Sequence, residues 1–194
     1  MFVPDPAPAP LHRAQSLVNT WYGRLTGGGE ERLATPADLA RWASACGDPL
    51  APDEVTDDDV ALALVVREGV RAVLAPRTDS GRPEDPAALA ALDGVADRLP
   101  LHFTTTGPAL APGVGTARGA LAAALAGLVT ADPRQRERLK VCRDGRCRTS
   151  FYDTSRNGSG VWCSMAECGA ANKQAAFVQR RRARRADGAG QTPA

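Results

Sequence analysis

Cys142-x4-Cys147 and Cys163-x4-Cys168 form two cysteine pairs of identical spacing, and a strongly basic segment follows the second pair. Four thiolates that converge in tetrahedral geometry favour zinc, at Zn–S distances of about 2.3 Å. A structural zinc site closes its sphere with four such ligands, whereas a catalytic one leaves a position open for water and often recruits histidine. The only histidines, His12 and His102, lie far upstream and read as ordinary surface or core residues. An iron centre or an oxidised dithiol pair would use the same cysteines. The x4 loops, however, do not match the common ferredoxin spacings, and no Cys-x2-Cys is present. The expectation is one structural zinc held by Cys142, Cys147, Cys163 and Cys168, with the fifth cysteine, Cys46, outside the set.

The residues around the pairs say how they would be positioned. Asp144-Gly145 suits a tight turn that brings the first two sulfurs to one point, a metal knuckle. Cys168 precedes Gly169, after which residues 170–185 contain no proline or glycine and many helix formers. The last ligand would therefore open a helix, whose N–H groups favour thiolate charge. Phe151 and Trp162 read as the apolar filling of a mini-core, and Asp153 and Ser155 as turn-fixing groups or hydrogen-bond partners of the ligand sulfurs. On the helix, Arg180 and Arg184 are four apart, as are Arg181 and Arg185, with Lys173 one or two turns earlier. Together with Arg156 and Arg182 they are the candidate phosphate contacts. The nearby amides Asn157, Asn172, Gln174 and Gln179 do not form a recognisable base-reading set.

Charge divides the chain in the same place. Residues 134–185 hold 14 Lys and Arg against 4 Asp and Glu, while residues 1–133 hold 10 against 17, so a total of +2 conceals a basic end on an acidic body. That asymmetry suits one part that meets a polyanion and another that does something else.

Upstream, Leu11, Ala14, Leu17, Val18, Trp21 and Leu25 recur at helical steps, and Gly27-Gly28-Gly29 would end that helix. Thr35-Pro36-Ala37-Asp38 predicts a capped helix through Trp42 to Gly47, and Thr56 with Asp57, Asp58 and Asp59 predicts another running to Leu74 before Pro76. Asp85-Pro86 opens a fourth, carrying Leu89, Leu92, Val95 and Leu99. Leu101 to Thr106, followed by Gly107-Pro108 and a second short apolar run, reads as a small hairpin, and residues 116–130 as a buried Ala-rich helix. The divisions are a disordered start (1–10), a mostly helical body (11–133), a cysteine module with its basic helix (134–185) and a disordered tail (186–194). The fold class is α+β: a mostly helical N-terminal domain with a small β-hairpin, then a zinc knuckle, hairpin and helix of treble-clef-like form.

With 43% hydrophobic residues in 194, disorder throughout is excluded, and no run of about 18 uncharged apolar residues suggests a membrane span. The proline-broken start, with Asp5, lacks the basic and apolar regions of a secretory signal, which points to a cytoplasmic protein. In that reducing compartment paired cysteines favour metal over disulfide.

Cys142-x4-Cys147-x3-Phe151-x-Asp153-x-Ser155-Arg156-Asn157, followed by Trp162-Cys163-Ser164-Met165-x2-Cys168-Gly169, resembles the CGNR zinc finger at the C-terminus of bacterial proteins described as candidate stress-induced transcription regulators. Leu17-Val18-Asn19-Thr20 and Thr35-Pro36-Ala37-Asp38-Leu39-Ala40-Arg41-Trp42 resemble the start of the ABATE-type domain that accompanies that finger. The name-giving Cys-Gly-Asn-Arg stands here as Cys168-Gly169-Ala170-Ala171, and Gly158 and Gly160 replace arginines common between the pairs. Lys173 and Phe177 fall where the family has a basic and an aromatic residue. The resemblance implies a DNA-binding transcription regulator whose body dimerises or senses a signal. The alternative is a zinc-stabilised protein-interaction adaptor that meets an acidic partner and binds no nucleic acid. No nucleophile and base pair marks the body as an enzyme. A ligand pocket near Asn19, Trp21 or Trp42 competes there with plain helix packing around one satisfied Asn, the reading preferred.

Overall fold

The computed structural model describes residues 4–24, 27–78, 85–104, 109–113 and 115–189. Helix α1 (His12–Val18) is followed by strands β1 (Trp21–Arg24) and β2 (Gly27–Glu31), then helices α2 (Pro36–Ala45), α3 (Asp57–Leu74) and α4 (Pro86–Asp93). Strands β3 (Leu101–Thr104) and β4 (Ala109–Pro112) precede α5 (Ala117–Thr130) and the short α6 (Pro133–Arg138). Strands β5 (Leu139–Val141) and β6 (Ser150–Tyr152) and helix α7 (Ala170–Ala189) complete the chain. Each strand pair is a separate antiparallel two-stranded sheet. The fold is α+β and mostly helical, and no helix is long and apolar enough to cross a membrane among the described residues.

Two helices begin where their caps predict. Thr35 Oγ1 accepts from the Asp38 amide at 3.2 Å while Asp38 accepts from the Thr35 amide at 3.0 Å, and Thr56 and Asp59 make the same reciprocal pair at 3.2 and 3.1 Å. Helix α3 is the centre of the body, packed against α1, α2, α4 and α5. Its second and third acids do more than favour the helix dipole, since Arg118 of α5 bonds Asp59 at 2.7 Å and Asp58 at 2.9 Å.

The first helix is shorter than its periodicity suggests. It ends at Val18, and Trp21, expected on its apolar face, instead starts a hairpin; Leu25 lies outside the described residues. The reason is tertiary. The indole occupies the space where Gly29 lacks a side chain, an added Cβ falling 2.3 Å from Trp21 Cζ2, and the buried Arg71 guanidinium sits 5.4 Å from its ring centroid. A glycine read as a helix stop is thus a socket for an aromatic ring. Helix α4 likewise stops at Asp93, with Leu99 reaching the core from beyond a short turn at Ala96–Arg98. Helix α5 is buried over most of its length and opens to solvent at its C-terminal end, where Val129 is 73% exposed. Residues 4–10, expected to be disordered, lie against the body: Ala7 is buried, its amide donates to Gln15 Oε1 at 2.6 Å, and Gln15 Nε2 donates to the Asp5 carbonyl at 3.0 Å. Helix α7 runs on to Ala189, into the segment expected as a disordered tail, of which residues 190–194 lie outside the described residues.

The body and the cysteine segment share a core. Leu139 and Val141 of β5 are fully buried with the body's leucines, and Tyr152 of β6 packs against the same cluster. Asn19, at the end of α1, imitates a strand. Its Nδ2 donates to the Ser150 carbonyl at 2.9 Å and its Oδ1 accepts from the Ser150 amide at 2.7 Å. Arg77 adds bonds from its guanidinium to the carbonyls of Arg136 and Leu139. We predict that Asn19→Ala, which strips both partners from Ser150, costs about 1–3 kcal/mol in urea unfolding. A variant as stable as the wild type would show that this contact does not hold the junction.

Candidate metal centre

The first cysteine pair is the loop of the β5–β6 hairpin. The Cys142 amide donates to the Thr149 carbonyl at 2.8 Å, prolonging the ladder, and a turn closes where the Cys147 amide donates to the Asp144 carbonyl at 3.0 Å. Arg148 leaves that turn in the left-handed region, at φ 50°. The Asp144 carboxylate accepts from the Arg146 amide at 2.9 Å and from the Arg146 guanidinium at 2.7 and 3.0 Å. These bonds, Arg146 foremost, hold Asp144 below the usual carboxylate range.

The second pair comes from the other direction. Ser164 caps a π-helical turn, Met165–Gly169, by accepting from the Glu167 amide at 3.1 Å, and α7 continues directly from it. Cys168 sits in this wide turn, at the start of the helix as its sequence suggests. Asn172, one turn into α7, donates to Asp144 at 2.6 Å and to the Cys168 carbonyl at 2.9 Å, tying the two knuckles together.

All four sulfurs lie within 4.8 Å of one another. Cys147 and Cys163 are 3.6 Å apart and Cys163 and Cys168 3.7 Å. A tetrahedron with metal–sulfur bonds of about 2.3 Å has edges of about 3.8 Å, whereas a disulfide needs about 2.05 Å. The donor set therefore fits one metal ion. Three of the cysteines are buried, and Cys163 is partly exposed. Cys46 stays in the body, buried, with Ser16 Oγ 3.5 Å from its sulfur.

Protonation chemistry points the same way. Hydrogen bonds from the Cys142 and Cys163 thiols, and then the Thr149 side chain, hold Cys147 at about 2, as a thiolate. The other three are pushed up: Cys142 and Cys163 chiefly by their bonds with neighbouring sulfurs, Cys168 by burial and then by the charge on Cys142 and Cys147. Four thiolates this close require a cation among them.

The loop between the pairs is held by a buried charge pair. Lys140 Nζ lies 2.8 Å from Asp153 Oδ2 and also donates to the Gly158 and Gly160 carbonyls at 2.6 and 3.0 Å. Asp153 accepts from the Ser155 amide at 3.0 Å and the Gly160 amide at 2.7 Å. Asp153 thus fixes the turn. A side chain at Gly160 would place its Cβ 2.7 Å from Asp153 Oδ1, and Gly158 has φ 60°, so both departures from arginine suit this loop. Arg138 donates to the carbonyls of Asp153 and Ser155, each at 2.7 Å. Trp162 packs on the cysteine cluster, as the mini-core reading expects, whereas Phe151 is buried but stands outside that cluster.

The cations of the basic segment accordingly split into two groups. Arg138, Lys140 and Arg146 are engaged within the module, and Arg148 faces Glu68 of α3 at 3.7 Å. Lys173, Arg180, Arg181, Arg182, Arg184 and Arg185 are exposed along α7, Arg156 is exposed on the loop between the pairs, and Arg134 and Arg143 are exposed as well. Sequence reasoning missed Lys140, Asn172 and Thr149. For Asn172 a signal existed, an amide in the first turn after the last ligand. At Asn19, Trp21 and Trp42 packing accounts for the side chains, since Trp42 Nε1 donates to Ser16 Oγ at 3.0 Å.

A family model described as CGNR zinc finger matches residues 138–181. A second, named ABATE and described as "Putative stress-induced transcription regulator", matches residues 11–132. No curated protein matches the chain. With the geometry above, the finger's match makes the ion of the four-cysteine site one structural zinc.

Proposed function

The chain belongs to the ABATE family and carries a CGNR zinc finger at its C-terminal end, and from that premise we propose that it is a DNA-binding transcription regulator. The observation that carries this reading is the exposed cationic helix α7, launched from the zinc-binding turn, while Arg138 and Lys140 of the module are bonded within it. The four cysteines hold shape, and Lys173, Arg156 and the arginines from Arg180 to Arg185 contact phosphates. Such contacts supply affinity without sequence information. The body serves dimerisation or signal sensing, and its junction with the finger through Asn19, Arg77 and Glu68 is the route by which a change there would reach α7.

An alternative reading, a zinc-stabilised protein-interaction adaptor, is favoured by one feature of the body. An apolar groove of about 490 Å³ runs between α5 and β3, lined by Leu99, Leu101, Ala122, Leu125, Ala126 and Val129. A gel-shift series over salt separates the two. Five or so phosphate contacts predict a log–log slope near −4 to −5 on duplex DNA, and Cys163→Ser weakens binding. No shift at low salt with either protein would overturn the DNA reading, and capture of a partner that survives nuclease treatment would favour the adaptor.

A further inference from the structure

Cations alone do not explain the surface of α7. Phe177 lies among them 53% exposed, with Val178 of the same helix 40% exposed and Met165, in the turn before it, 58% exposed. Among the described residues only three other large apolar side chains, Val73, Leu101 and Val129, are as open to solvent. Phe177 adds nothing to either core. Its ring contact is with a cation: the Arg181 guanidinium carbon stands 5.9 Å from the ring centroid. Steps of four, three and four residues place Lys173, Phe177, Arg180 and Arg184 on one helix face. Along the axis Lys173 is about 6 Å before the ring and Arg180 about 4.5 Å after it.

A flat ring held open between two cations, with a guanidinium against it, matches the chemistry of a base and the phosphates on either side of it. Bases stack on exposed aromatics while flanking cations hold the backbone. Inside a duplex the base faces are covered by their neighbours, so phosphate contacts alone would leave Phe177 in water. We propose that Phe177 is a stacking platform for an unpaired base, so that α7 prefers nucleic acid with unpaired or easily opened positions to fully paired duplex. This rests on the nucleic-acid reading above and adds to it the kind of nucleic acid. The ring supplies preference for an open base, and Lys173, Arg180 and Arg184 supply affinity.

The test uses the intact, zinc-loaded protein and two fluorescent DNA probes, a paired duplex and the same duplex with an unpaired central bulge. Wild type binds the bulged probe more tightly. Phe177→Ala loses about tenfold on that probe, keeps its affinity for the paired one and leaves the salt slope unchanged. Phe177→Trp keeps the preference. Arg180→Ala instead weakens both probes alike and lowers the slope on duplex by about 0.9. Zinc content and circular dichroism confirm that each variant is folded. If Phe177→Ala binds both probes as wild type does, the platform is wrong and the phosphate-binding helix stands. If wild type binds neither probe at low salt, or binds only vesicles of anionic lipid, both readings fall together.

Discussion

Removing zinc with a strong chelator, or replacing Cys147 by Ser, unfolds the segment from β5 to the start of α7 and lowers the melting temperature of the body as well. The size of the effect follows from the geometry. Zinc binding to small tetrathiolate and mixed modules is worth about 10–16 kcal/mol at neutral pH, and here the apolar cluster at the site holds little beyond Cys142, Cys147, Cys163, Cys168 and Trp162. Without the ion, hydrogen bonds between the sulfurs and burial keep most of these thiols protonated, and Asn172, the bond from the Arg143 amide to the Val161 carbonyl and the loop bonds are left to join the first knuckle to the second. The body melts earlier because β5 contributes Leu139 and Val141 to its core. A finger hung on a flexible linker would leave the body's transition where it was. Calorimetry of zinc-loaded and stripped protein checks this, with Cys46→Ser as the variant that keeps its zinc. An unchanged body transition after zinc removal would refute the shared core.

The second large effect is at Lys140. Lys140→Ala costs about 3–5 kcal/mol, because it leaves the Asp153 carboxylate buried without its counter-charge. Both side chains are almost fully enclosed, 6% and 3% exposed. Burial alone would raise the Asp153 carboxyl. The Lys140 ammonium, Ser155 and the Gly160 amide outweigh it and hold the group at about 2. The unfolded value is near 3.9, so the folded pKa is depressed. The resulting stability, about 2–3 kcal/mol, is therefore fully present above pH ~4–5 and is lost as pH falls toward ~2. Acid also releases zinc, so the contribution is read as the difference between wild type and Asp153→Asn across that window. Urea unfolding of Lys140→Ala with the wild-type midpoint would show the pair to be incidental. Lys140→Met combined with Asp153→Asn should recover part of the loss, since a neutral pair carries no buried charge.

What the sequence made legible was local. The cysteine spacing, the Asp144-Gly145 turn and the reciprocal caps at Thr35–Asp38 and Thr56–Asp59 each involve residues within a few positions, and each appears where it was expected. The misreadings all turn on distant partners. Trp21 fits a helical period, yet Gly29 and Arg71 make it a strand residue. Asn19 is the satisfied polar group that the sequence suggests, with a partner, Ser150, that lies 131 residues away. Lys140 counts toward the basic segment by composition, while its charge is spent on Asp153. Charge counting therefore overstates the surface available to a polyanion, since Lys140 is buried on Asp153 and Arg138 is bonded to the loop carbonyls. Asn172 shows the reverse, for an amide considered as a base reader is a clamp between Asp144 and Cys168.

These positions divide the module into parts that hold and parts that touch. Four sulfurs, Asn172 and the Lys140–Asp153 pair fix the turn from which α7 departs, and the helix beyond it carries the exposed cations and Phe177. If the metal only holds shape, its surroundings do not change when the helix engages its partner. X-ray absorption at the zinc edge, recorded on the free and the DNA-bound protein, tests this most directly. The account predicts one zinc per chain with four sulfurs at about 2.3 Å in both states. A first shell containing oxygen or nitrogen, or the loss of a sulfur on binding, would contradict it.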